Sequence, residues 1–146
     1  MIGAGIADLI QPNTKQIWLE APGSVTMEVS DIPAITNVAR ARGVVTAIDN
    51  TWSAGLAFRP FDHGVDISMQ ALTKYQSGGS DVLMGATITV DRELHLKLKL
   101  ARMRMGIGVS SESRASPPAQ RSMPERTAVN ASAAIKAGIS SSGRIP

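Results

Sequence analysis

Two short β-rich runs flanking a capped amphipathic helix constrain this chain more than any other feature in it. Gln16-Ile-Trp-Leu-Glu20 is apolar and ends in Ala21-Pro-Gly23, the pattern of a buried strand running into a loop. Asp31 is placed to cap a helix that has Pro33 in its first turn. Ile32, Ile35, Val38 and Ala39 form its apolar stripe, and Arg40 and Arg42 precede a stop at Gly43. Val44-Val-Thr-Ala-Ile48 follows at once as a second β-branched run. Strand, helix and strand within about 30 residues make a βαβ unit. Its right-handed crossover makes the two strands parallel. The expected fold class is therefore α/β, a partial and mostly parallel sheet with flanking helices.

Ligands of such sheets gather at the carboxyl ends of the strands, and Asp49-Asn-Thr-Trp52 leaves the second strand at that edge. After a connector containing Pro60 and Gly64, Asp66-Ile-Ser-Met-Gln-Ala71 reads as a third strand and ends just before Thr73-Lys74. Lys74 thus emerges at the same edge. Tyr75-Gln-Ser-Gly-Gly-Ser80 reads as a turn, and Val82 to Val90 as a further strand in which Gly85 permits close backbone approach. Asp91 caps a second helix, with Leu94, Leu98 and Ala101 at helical spacing and Gly106 and Gly108 as its stop. Trp52 and Tyr75 are expected to serve as packing residues.

Several function classes are excluded by what the chain lacks. With no cysteine, disulfides, thiolate metal sites and a cysteine nucleophile are ruled out. His63 and His95 stand far apart, so no metal site is expected. Nothing spans a bilayer, and Met1 to Leu9 has no cationic start before an apolar run, so the default location is the cytoplasm. The net charge of +3 sits in the tail: residues 1–108 hold ten Lys/Arg and ten Asp/Glu, whereas 109–146 hold five and two. That tail has no aromatic residue, and nucleic acid is not an expected partner. Its nine serines and four prolines in 38 residues mark a break in texture at Val109. Two regions result: an α/β body over 1–108, and a Ser/Pro/Arg-rich tail over 109–146 expected to be disordered.

An aspartate and a lysine 25 residues apart, each leaving a parallel strand on one edge, suit a pyridoxal-phosphate site. The lysine amine condenses with the cofactor aldehyde, and the carboxylate keeps a proton on the pyridine nitrogen so that the ring accepts electrons. Thr73 is placed to offer a hydroxyl to the phosphate, and the turn Ser77 to Ser80 offers backbone donors.

The strings Trp18-Leu-Glu-Ala-Pro-Gly-Ser-Val-Thr-Met-Glu28, Ile48-Asp-Asn-Thr-Trp52 and Gln70-Ala-Leu-Thr-Lys-Tyr75, followed by Gly79-Ser-Asp81, resemble the Cys/Met-metabolism family of pyridoxal-phosphate enzymes. The resemblance runs from about Ile2 to Gly108 and is closest to the cystathionine β-lyase branch. It implies a fragment of the fold-type I, aspartate-aminotransferase-like major domain. By that resemblance Lys74 is the Schiff-base lysine and the general base, Asp49 the pyridinium partner and Thr73 a phosphate contact. Ala71 stands where the family often has serine, so a methyl replaces one phosphate hydroxyl, and Pro22-Gly-Ser24 replaces the common Pro-Thr-Asn.

The implied reaction is β-elimination of cystathionine to homocysteine, pyruvate and ammonia, the trans-sulfuration step of methionine biosynthesis, with a partly buried lysine amine. Cystathionine γ-synthase or γ-lyase is the rival within the family, and a catalytically silent fragment the rival outside it. The expected ligand is a small sulfur amino acid, and the family is homo-oligomeric. Its members are several times longer. Their phosphate-cradling glycine loop, ring-stacking aromatic and carboxylate-binding arginine are not expected in this stretch, and residues after about Ser111 are expected to be out-of-frame coding. A sheet cut from a larger one is also expected to expose edges and to aggregate.

Overall fold

The protein is described by a computed structural model covering residues 3, 5–78, 82–108 and 128–129. Apart from 128–129, the tail and the string Gly79-Ser-Asp81 lie outside the described residues. The elements in chain order are α1 (Ile6–Leu9), β1 (Gln16–Glu20), α2 (Ile32–Ala41), β2 (Val45–Asp49), a 3-10 turn (Pro60–His63), β3 (Ile67–Ala71), β4 (Gly85–Ile88), α3 (Arg92–Arg104) and β5 (Ala128–Val129). The strands form one sheet in the order β1-β2-β3-β4-β5. β2 runs parallel to both β1 and β3. β4 is antiparallel to β3, and the two residues of β5 are antiparallel to β4.

The βαβ unit forms where the sequence places it, for local reasons. Asp31 Oδ1 accepts a hydrogen bond from Ala34 N at 3.1 Å, and Pro33 sits in the first turn of α2. This satisfies one of the amides that a helix start leaves without a partner. Gly43, at φ 65°, ends the helix in a left-handed conformation that a Cβ would penalise. Its N–H donates to Arg40 O at 3.1 Å, and the chain turns directly into β2.

α2 buries Ile32, Ile35, Thr36 and Ala39. With Leu19 of β1, Ile48 of β2 and Val65, the two isoleucines make the core, against which Ile6, Ile17, Ala21 and Phe58 pack. The Thr36 hydroxyl donates to His63 O at 2.8 Å, which ties α2 to the 3-10 turn.

A clamp sets the register of β2 on β3. Asp66 Oδ2 accepts from both Thr46 N (2.7 Å) and Thr46 Oγ1 (2.8 Å). Asp66 N donates in turn to Thr46 O at 3.2 Å. Glu20, Asp49 and Met69 then come level across the three parallel strands.

Two boundaries and one helix face differ from expectation. β2 includes Asp49, which is thus the last residue of the strand rather than the first of the loop. β4 begins at Gly85 instead of Val82, because Leu83 is exposed and the Met84 backbone is engaged by Thr73. In α3, Leu94, His95, Leu98 and Arg102 form the half-buried face, whereas Ala101, Leu96 and Leu100 are exposed. Asp91 caps α3 as expected, accepting from Leu94 N at 2.6 Å. Among the described residues no helix is long and apolar enough to cross a membrane.

Ile48 is fully buried at the centre of the core. Ile48→Ala is expected to cost about 2–5 kcal/mol, read as a lower urea midpoint at unchanged slope. Among the described residues β1 has a neighbour on one side only, and its Trp18 is 52% exposed. A lysine on such an edge discourages pairing between chains. Trp18→Lys is expected to lower light scattering of the purified chain at equal concentration; unchanged scattering would place the association elsewhere.

Candidate functional site

Asp49 closes β2, and its side chain falls on the opposite face of the sheet from Ile48, as strand alternation requires. Its carboxylate is held from one side. Oδ1 accepts from Thr51 N at 2.9 Å and from Thr51 Oγ1 at 2.5 Å, while Oδ2 accepts no hydrogen bond among the described residues. The bond from Thr51 N is the two-residue return that Asp side chains make at turns. Thr51 is 3% exposed, and its oxygen also accepts from Ala71 N at 2.8 Å, at the end of β3. Asn50 N donates to Met69 O at 2.8 Å, so two bonds join the ends of β2 and β3.

Lys74 lies three residues beyond β3, in a turn where its N–H donates to Ala71 O at 3.1 Å. The structure therefore brings Lys74 and Asp49 to the same end of adjacent, parallel strands. The Lys74 side chain is exposed. Of the ion pairs among the described residues, Arg59–Asp62 and Glu93–Lys97, neither involves it. The partial burial expected for this amine is not found, because no described element covers it.

Thr73 is half-buried, and its hydroxyl meets the backbone of Met84. Oγ1 donates to Met84 O at 3.1 Å and accepts from Met84 N at 3.0 Å. A hydroxyl has one hydrogen to give, so donation to a phosphate requires that hydrogen to leave Met84 O. In the expected phosphate turn, Ser77 N already donates to Leu72 O at 3.0 Å and Ser77 Oγ to Thr73 O at 2.6 Å. Gly79 and Ser80 lie outside the described residues. Trp52 and Tyr75 are 45% and 53% exposed, so neither has the packing role expected of it.

Two residues that sequence reasoning passed over organise this edge. Thr51 has a readable signal, a threonine two places after an aspartate at a strand end. Gln70 has none, because its neighbours come from separate loops. Gln70 is 6% exposed and accepts at Oε1 from Gln76 Nε2 at 2.8 Å, in the turn that carries Lys74. Across from it is Gly55, in the loop that follows Asp49, where an added Cβ would stand 2.8 Å from Gln70 Nε2.

A carboxylate oxygen without a donor and an amine without an acceptor among the described residues, on neighbouring strand ends, fit a ring that carries an N–H at one position and an aldehyde at another. The model of the family described as Cys/Met metabolism PLP-dependent enzyme matches residues 2–116. The chain belongs to this family. Its cofactor chemistry is that of pyridoxal phosphate, and the described sheet corresponds to part of the fold-type I major domain.

Similarity to individual proteins is high over a limited stretch. The chain is 53% identical over 90 residues to cystathionine beta-lyase of Haemophilus influenzae, covering 60% of this chain and 23% of that protein. It is 52% identical over 83 residues to an L-alanine/L-glutamate racemase of Wolbachia pipientis, covering 57% of this chain and 21% of the racemase. Among solved structures, cystathionine gamma-lyase from Lactobacillus plantarum, complexed with L-serine, superposes with a TM-score of 0.72 at 32% identity, over 75% of this chain and 29% of that one. The chain thus spans about a quarter of the length of the relatives it matches.

Gly55 has φ 75°, a conformation that side chains resist, and no free space for a Cβ. Gly55→Ala is expected to destabilise the chain by about 1–3 kcal/mol through strain and overpacking, seen as a lower thermal midpoint. Gly78, also at positive φ but with nothing within 4 Å of an added Cβ, is the control and is expected to lose less.

Proposed function

We propose that this chain carries the lysine and ring-nitrogen part of a pyridoxal-phosphate site belonging to a carbon–sulfur lyase of the trans-sulfuration type. The observation that carries the reading is the placement of Asp49 at the carboxyl end of β2 and of Lys74 just past that of its parallel partner β3, each with a functional atom unengaged among the described residues. Pyridoxal phosphate, when bound, supplies an electron sink for the pair left when a substrate Cα–H bond breaks.

The chain's own residues divide the remaining work. Lys74 Nζ would hold the cofactor covalently and, once free, would take the substrate's Cα proton. Asp49 Oδ2 would hold a proton on the ring nitrogen. Thr73 contributes a phosphate contact once its hydrogen turns from Met84 O. The substrate in this reading is cystathionine, cleaved by β-elimination to homocysteine, pyruvate and ammonia, in a cytoplasmic homo-oligomer.

A second reading draws on the relatives themselves. Proteins named as a lyase and as a racemase match this stretch at 53% and 52% identity. That supports a segment committed to the shared cofactor chemistry, with the choice of bond set outside it. γ-Synthase, γ-lyase or a catalytically silent chain then remain the competing assignments.

Purified chain incubated with pyridoxal phosphate, reduced with borohydride and mapped by mass spectrometry is expected to carry the label on Lys74. Lys74→Ala is expected to abolish that label, and Asp49→Ala to weaken cofactor affinity by tenfold or more, about 1.4 kcal/mol. Labelling scattered over surface lysines would overturn the site. Thiol release from cystathionine then separates a lyase from a silent chain.

A further inference from the structure

The reading of Asp49 as the ring-nitrogen partner leaves open what holds its carboxylate in one orientation, and we infer that Thr51 is the positioning residue that does so. The assignment rests on that reading and on how hydrogen atoms must be distributed around one oxygen. Thr51 Oγ1 has two neighbours, Ala71 N at 2.8 Å and Asp49 Oδ1 at 2.5 Å. A backbone N–H can only donate, so Oγ1 is the acceptor towards Ala71. Its single hydrogen is therefore directed at Asp49 Oδ1. The backbone N–H of Thr51 donates to the same oxygen at 2.9 Å.

Two donors on Oδ1 fix the plane of the carboxylate and turn Oδ2 away from Thr51 as the oxygen left for a ligand. The hydroxyl does more than orient one side chain. It joins the end of the strand that carries Asp49 to Ala71, whose carbonyl accepts from Lys74 N at 3.1 Å. One buried oxygen thus links the carboxylate to the turn that carries the amine, and sets their relative position before any ligand arrives. The effect of Thr51 passes through Asp49 and Ala71.

The test compares Thr51→Val, which keeps the shape and removes the hydroxyl, with Thr51→Ser, which keeps the hydroxyl. Both are made in the full 146-residue chain. Three quantities are read: exchange of the Ala71 amide without cofactor, the dissociation constant for pyridoxal phosphate, and the pH profile of the bound cofactor's visible absorbance.

The valine variant is expected to exchange Ala71 faster, to bind the cofactor about 10- to 100-fold more weakly, by analogy with the loss of an outer hydrogen bond behind a metal ligand, and to shift the pH profile. The serine variant is expected to restore all three. Faster exchange in the valine variant with unchanged affinity and profile would overturn the role of Thr51 while leaving Asp49 in place. Equal affinity of the unsubstituted chain and Asp49→Ala would overturn the reading of Asp49, and the role of Thr51 with it. If the valine variant does not fold, the serine variant decides alone, since a loss of affinity or an altered profile there contradicts a role carried by the hydroxyl.

Discussion

Everything at the candidate site depends on β2 being held in one register between β1 and β3. The strand is parallel to both neighbours, and Ile48 is sealed between β1 and α2. Entry is fixed by Asp66, which takes two hydrogen bonds from Thr46, and exit by the bonds Asn50 N to Met69 O and Ala71 N to Thr51 Oγ1. A bond from a backbone or hydroxyl donor to a charged carboxylate is worth more than one between neutral groups, so the Asp66 clamp is the stronger fastening. Because neighbouring residues of a strand point to opposite faces, a slip of one residue would move Asp49 to the face occupied by α2.

The βαβ unit was legible because its signals are local. The Asp31 cap, Pro33 in the first turn and the Gly43 stop each act within a turn of the helix, and all three occur as read. The fold class was legible for the same reason, through the crossover rule and the family motifs. What sequence reasoning misjudged depends on distant partners. The start of β4 is displaced because Thr73, eleven residues before Met84, captures its backbone. The expected burial of Lys74 required a covering element that the described residues do not supply. Gln70, which touches loops from two sides, carries no pattern that alternation or spacing could reveal.

The site also shows how little of its geometry follows from identity of residue type. Asp49 and Lys74 are readable as chemistry, but the bond from Thr51 that occupies Asp49 Oδ1 and the bond from Thr73 to Met84 O are not. The loops at the carboxyl end of the sheet are anchored by polar contacts and carry exposed apolar tips, Leu56 at 88% and Leu83 at 86% exposure. The sheet supplies rigidity, and the loops supply chemistry and surface.

The pairing of β2 with β3 has a thermodynamic corollary. A ligand bound at once to Asp49 and Lys74 engages only chains in which the two strands are correctly aligned, so it acts as a removable staple across them. Binding and folding then share one free energy: ligand at 100 times its dissociation constant adds about 2.7 kcal/mol to the folded state. A substitution at the Asp66 clamp, at the other end of the strands, would lower apparent ligand affinity without touching the ligand, and saturating ligand would mask the defect.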